Sequence, residues 1–208
     1  AQKNGKNSQF LAKKDPEYKR VEQYLCSDID FLQQLCHDAG LSLKCTDGKI
    51  VIFDQQEYEG KDAVWTTVLD DKSYIKYGHS LGRAGTQYAS CRVSYVGPDG
   101  KAIEGIAYVK DYDAKSKTNQ QLEVMSAVTS KAEAKELAAK KLRLYNKFER
   151  QMSFTFPGDP GKVAGLTFNA EGFGPWSGKY IVKQSKHTVS GSGGYTTQVI
   201  GRHTLGGY

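Results

Sequence analysis

The sequence predicts an α+β protein: a mainly antiparallel β-barrel with one covering helix, preceded by a small strand–helix–hairpin α/β unit. Three observations carry this prediction. A capped amphipathic helix followed by a glycine-turn hairpin falls between residues 27 and 53. Strand-like alternation dominates from Trp65 to residue 112 and again from residue 150 to 202. One further helix, residues 130–148, separates those two β stretches. Strands, one long helix, then strands is the order of an α+β chain in which the helix covers a sheet or barrel. The expected organisation is a flexible lead-in over residues 1–16, a small α/β domain over 17–62 and a β-barrel domain over 63–208.

Each element has its own signal. In "EYKRVEQYL", Tyr18, Arg20, Glu22 and Tyr24 share one alternating face, which predicts a partly exposed strand. Ser27 caps the helix that follows, with Asp30 three residues on as its capping-box partner. Ile29, Leu32, Leu35, Cys36 and Ala39 recur at helical spacing, and Gly40 supplies the left-handed stop. Leu41, Leu43 and Cys45 then alternate into an Asp47-Gly48 turn, and Ile50 to Phe53 return as the second strand of a hairpin.

Beyond Trp65, "SYIKYGH", "YASCRVSYV" and "AIEGIAYVKDY" read as strands, the last two joined by Pro98-Asp99-Gly100. The polar segment 113–120 reads as a loop. Ser130 and Glu133 form the capping box of the second helix, with Ala134, Leu137, Ala138, Tyr145 and Phe148 on one face. "RQMSFTF", "GLTFNAE", "KYIVKQSKHTVS" and "YTTQVIGR" complete the strands.

Composition narrows the classes of function. The 208 residues are 38% hydrophobic and 25% charged, with 22 glycines and 13 tyrosines, a globular rather than disordered composition. No apolar run approaches the roughly 18 residues that span a bilayer, so no membrane partner is expected. The opening "AQKNGKNSQFLAKKDP" is polar and basic, unlike a secretory signal. The chain starts without methionine and reads as a piece of something longer. Its net charge is +6 and its pI near 9.0, compatible with an anionic partner. The lysines are scattered singly, however, which reads as a solvated surface. A basic nucleic-acid or polyanion-binding β-domain is the alternative reading.

Candidate chemistry is sparse. Cys26, Cys36, Cys45 and Cys91 fit no zinc-ligand spacing and read as reduced, structural thiols. His187 sits in a strand alternation with no carboxylate or hydroxyl at a recognisable spacing to orient it for base catalysis. "GSGGY", residues 191–195, lacks the following Lys-Ser/Thr and helix of a phosphate-binding loop and reads as a hairpin turn. "GFGPW", residues 172–176, fits either a stacking site for a sugar or base, or a tight loop packing its own aromatics. Asp28, Asp30 and Asp38 do not form a paired acid and base, and adjacent Cys36 and His37 turn apart on a helix. No catalytic residue, cofactor or metal site is expected, and the chain is not expected to be an enzyme; a cell-wall hydrolase is the remaining catalytic alternative.

Two stretches together resemble a known family. Glu22, Gln23, Tyr24, Ser27, Asp28, Phe31, Leu32, Leu35, Gly40 and Gly48 resemble a segment of phage late control protein D and of type VI secretion spike proteins. The stretch from Val128 is similar to the closing half of late control D. It runs through an alanine-rich helix, "PGDP", "GKYIVKQSKH" and "GYTT". Together they cover roughly residues 17–60 and 128–200. The resemblance implies a contractile-tail baseplate hub: a homotrimer of subunits with tube-like β-barrel domains that joins the tail tube to the central spike. It further implies tube and spike proteins as partners, nucleic acid passing through a channel at most, and residence in a virion tail assembled in the bacterial cytoplasm. Family members typically carry another barrel before the "EQY" segment.

Overall fold

The computed structural model describes residues 8–12, 15, 17, 20–46, 48–82 and 87–205. The chain divides into two compact units, Ala1–Glu57 and Tyr58–Tyr208.

The first unit contains β1 (Ser8–Phe10), α1 (Asp28–Asp38), β2 (Ser42–Thr46) and β3 (Lys49–Phe53). The helix starts as its capping box dictates. Ser27 Oγ accepts from the Asp30 N–H at 3.2 Å and donates to the Asp30 carboxylate at 2.6 Å. It stops at Gly40, whose φ of +69° is accessible to glycine at no steric cost. β2 and β3 pair antiparallel from Ser42↔Phe53 to Thr46↔Lys49. Gly48 turns between them with φ +70°, and Asp47 lies outside the described residues.

Two expectations need correction here. Residues 8–10, expected within a flexible lead-in, form β1, parallel to β3 from Ser8↔Ile50 to Phe10↔Ile52. The hairpin left one edge of β3 open, and three residues suffice to use it; the Leu11 N–H extends the ladder to Ile52 O at 2.8 Å. In contrast, the expected strand over "EYKRVEQYL" is absent at its described residues, and Tyr18 lies outside them. Val21 and Tyr24 are exposed there, and Leu25 takes φ +49° at 88% exposure. Alternation without a partner strand leaves the backbone unpaired, so no strand forms.

A short helix, α2 (Gln55–Gly60), crosses the division between the units. The second unit holds β4 (Trp65–Val68), β5 (Lys76–Leu81), β6 (Ser90–Val96), β7 (Ala102–Tyr108), β8 (Gln121–Met125) and α3 (Lys131–Asn146). It continues through β9 (Arg150–Pro157), β10 (Thr167–Glu171), β11 (Gly178–Ser190) and β12 (Gly194–His203). Six strands in the order β4-β10-β11-β12-β9-β5 make a curled half-barrel, antiparallel except at β4–β10. Three more, β7-β6-β8, make a smaller sheet in which β6 and β8 run parallel. The protein is α+β and mostly β.

Each sheet has its own core. In the larger, Phe154 lies within 5.6–5.9 Å, centroid to centroid, of Tyr74, Phe156, Phe168 and Phe173. These rings alternate inward along β9 and β10, so one face of the half-barrel is lined by aromatics. The long helix covers the smaller sheet. Ala134, Ala138 and Leu142 bury against Cys91, Val93 and Ala107. Its N-terminus is fixed by Ser130, which accepts from the Glu133 N–H at 3.2 Å, while the Glu133 carboxylate accepts from the Thr129 N–H at 2.8 Å.

β11 and β12 form a long hairpin around the turn at 191–193. The register slips between Val182 and Gln184, so Lys183 is an extra residue in β11. Before this bulge Tyr180, Ile181 and Val182 are all buried; after it most of the strand is exposed. A bulge bends a strand locally, and here it interrupts the plain alternation that the sequence predicts.

Candidate functional site

His187 is not isolated. Its ring lies 3.1 Å from Ser185 Oγ through Nε2, and Nδ1 lies 3.0 Å from Tyr195 Oη and 3.1 Å from Thr197 Oγ1. Sequence reading found no orienting hydroxyl. The signals were present: Ser185 is two residues back on the same strand face, and Thr197 is the register partner of His187 across the hairpin. Which residue stands opposite, however, is decided by the turn and the bulge.

The proton arrangement tells what this cluster does. Ser185 Oγ donates to the Lys162 carbonyl at 2.5 Å. It therefore receives a hydrogen bond from His187 Nε2–H rather than giving its proton to the imidazole, and Nδ1 is left as an acceptor for the Tyr195 or Thr197 hydroxyl. A serine nucleophile needs the opposite polarity. The cluster instead fastens the loop 157–162 to the hairpin. The Asp159 N–H donates to Thr197 Oγ1 at 2.9 Å, Gly158 N–H to Tyr195 O at 2.8 Å, and Asp159 pairs with Lys162 at 2.6 Å. Lys162 and the Gly161 N–H hold the Asp159 carboxyl below its ordinary range. A Cβ on Gly158 would stand 1.9 Å from the Tyr195 ring, so glycine is required for the loop to lie flat on it.

The other sequence candidates resolve locally. Residues 191–193 form the turn, with the Gly193 N–H donating to Ser190 Oγ at 2.9 Å and Gly194 at φ +66°. In "GFGPW", Gly174–Trp176 makes a 3-10 turn. Phe173 enters the large core, Trp176 lies 4.6 Å from the His79 ring, and the Trp176 carbonyl accepts from Tyr180 Oη at 2.7 Å. Burial pushes the Tyr180 phenol up to about 12, so it remains a donor. The cavity beside Trp176 is about 110 Å³, well under the roughly 300 Å³ at which small-molecule pockets begin. These aromatics pack against one another.

Asp28 accepts from Gln23 Nε2 at 3.0 Å, Asp30 belongs to the cap, and Asp38 lies 3.9 Å from the adjacent His37. All four cysteines are free thiols. Burial raises Cys36 and pushes Cys91 up to about 11, which keeps both protonated and unreactive. Among the described residues no group of three His, Cys, Asp or Glu side chains is placed to hold a metal, and no helix is long and apolar enough to cross a membrane.

Two larger features went unseen in the sequence. Glu59, on α2, is buried between two arginines: Oε1 pairs with Arg202 at 2.6 Å, and Oε2 pairs with Arg143 and accepts from the Leu205 N–H at 3.1 Å. The cluster ties α2, α3, β12 and the residues after β12 together. Beside it opens a cleft of about 630 Å³ whose walls include Tyr88, Lys147, Glu149 and His203. Burial and nearby Arg150 hold the His203 imidazole below its ordinary range.

The second feature is the pair of sheet ends. β4 and β5 are the outer strands of the half-barrel, each paired on one side only among the described residues. Both carry or adjoin exposed apolar side chains: Val64 (61% exposed) and Val68 at β4, Ile75 (60%), Tyr77 and Leu81 at β5. Unprotected apolar edges are templates for another chain.

No family model matches the sequence, and no curated protein matches it. Solved structures do match. A tail protein from Neisseria meningitidis MC58 superposes with a TM-score of 0.72 at 12% identity, over 95% of this chain and 61% of that one. The chain has the fold of phage tail proteins. The 43 kDa tail protein of prophage MuSo2 from Shewanella oneidensis gives 0.68 at 10% identity, over 96% of this chain and 60% of that one. The Escherichia coli c3393 protein, a type VI secretion component similar to the T4 tail proteins gp27 and gp5, gives 0.54 at 11% identity, covering 96% and 44%. The chain thus spans about three fifths of the length of the two tail proteins. At these identities the likeness is one of fold.

Proposed function

We propose that the chain is a structural component of the baseplate hub of a phage tail or tail-like contractile particle, with residues 63–208 as its tube-like domain and 17–62 as the attached small unit. Three copies close a ring that joins the tail tube to the central spike. The observation that carries this reading is the half-barrel with two open apolar edges. A curled sheet that ends in unpaired strands on both sides is complete only when β4 of one copy meets β5 of the next. Such head-to-tail contacts close into rings.

The shared fold with phage tail proteins supports the same reading, as does the use of His187 and Ser185 to fasten a loop rather than to activate a nucleophile. Partners are then other tail and baseplate proteins, and the working location is the virion tail, after assembly in the host cytoplasm. Negative-stain images of the purified chain test the ring directly. Threefold class averages with a central opening are expected; compact particles without an opening overturn the reading.

A further inference from the structure

Around Glu59 the buried charges do not balance. Both of its oxygens are taken, Oε1 by Arg202 and Oε2 by Arg143 and the Leu205 N–H. A third cation, Lys147, stands at the C-terminal end of α3 with only 9% of its surface exposed. Among the described residues its ammonium has no carboxylate partner. It lies 5.0 Å from the Phe148 ring, over which Lys183 also sits at 4.6 Å, so the ring is already shared between two cations. A buried ammonium without an anion is costly, and the group escapes by losing its proton or by acquiring a counter-charge. Burial, reinforced by Arg202, Lys183 and Arg143 and opposed by Glu59, has pulled the Lys147 amine down to about 8.

The same side chain lines the cleft of about 630 Å³, which opens to solvent, so a counter-charge has a route to it. The cleft is not uniformly basic. Glu149 and Asp111 stand in its walls with Lys110, Arg150 and His203. A continuous phosphate backbone would meet these carboxylates, whereas one carboxylate at Lys147 would not have to. We propose that the cleft is a docking site for a single aspartate or glutamate side chain of a neighbouring protein chain, with Lys147 as its counter-charge.

Lysine side-chain NMR on the full chain tests this by following the Lys147 amine through its titration. The probes are N-acetyl-glutamate amide, its glutamine counterpart and inorganic phosphate. The expected result is an upward move of the Lys147 midpoint by about one unit or more with the glutamate probe, the size typical of a newly adjacent opposite charge. The glutamine probe is expected to leave it in place. An unmoved midpoint with the glutamate probe overturns the proposal, and an equal move with phosphate overturns the assignment to a protein carboxylate in favour of a general anion site. Lys147→Met gives an independent reading by calorimetry: heat of binding for the glutamate probe is expected to vanish while the circular dichroism spectrum is kept. Unchanged binding by a folded Lys147→Met chain contradicts the proposal.

Discussion

At Gly158 a methyl group has nowhere to go, because the Tyr195 ring fills its place at 1.9 Å. Gly105 is similar on the other sheet: a Cβ there would stand 2.3 Å from the Lys135 backbone nitrogen, which is how closely α3 rides on β7. Ring and helix backbone both resist displacement, so Gly105→Ala is expected to cost about 1–3 kcal/mol by overpacking, read as a lower midpoint in urea denaturation. Glu59→Gln should cost more. It leaves Arg143 and Arg202 buried without their carboxylate, and breaking a buried pair in this way costs about 3–5 kcal/mol. The pH dependence of stability carries a separate signature of Lys147. Its folded value, about 8, lies below the 10.5 of a free lysine. Between those values the unfolded chain holds a proton that the folded chain has lost, so this group adds stability as pH rises. Wild type is expected to gain stability over Lys147→Met from pH 8 to 10.5, with no such gain below pH 8.

At the level of elements, what was legible in the sequence was what depends on near neighbours. Ser27 and Ser130 signal their helices because a cap and its partner lie three residues apart. Gly48 and residues 191–193 signal hairpins because the turn residues sit between the strands they join. Ser130→Ala is expected to lower stability by about 1 kcal/mol, measured by thermal or urea unfolding. Pairings between distant segments were not legible. β1 has only three residues, and its partner β3 lies some forty positions away. The parallel pairs β4–β10 and β6–β8 have no turn to announce them. The segment around Tyr24 has strand alternation without a strand, since a pattern cannot supply a partner. The candidate site shows the same limit: the hydroxyls around His187 and the arginines around Glu59 come from separate elements, and only their chemistry, not their meeting, is written locally.

On the scale of the whole molecule, the half-barrel is the feature that asks for other copies. Its apolar face is already filled by the chain's own aromatics, so stability does not explain the exposed Val64, Val68, Ile75 and Tyr77 at its ends. Their placement on the outer strands fits edge-to-edge contact between subunits. A lysine at such a position blunts an edge without touching the core, so Ile75→Lys is expected to leave the melting temperature within a few degrees, a shift of under about 1 kcal/mol, while abolishing self-association in sedimentation velocity. The most direct test of the ring is the mass in solution. Light scattering on the purified chain should report three 23.0 kDa subunits, and one for Ile75→Lys. A wild-type chain that stays monomeric up to its solubility limit, or a trimer that Ile75→Lys leaves intact, contradicts ring closure through these edges.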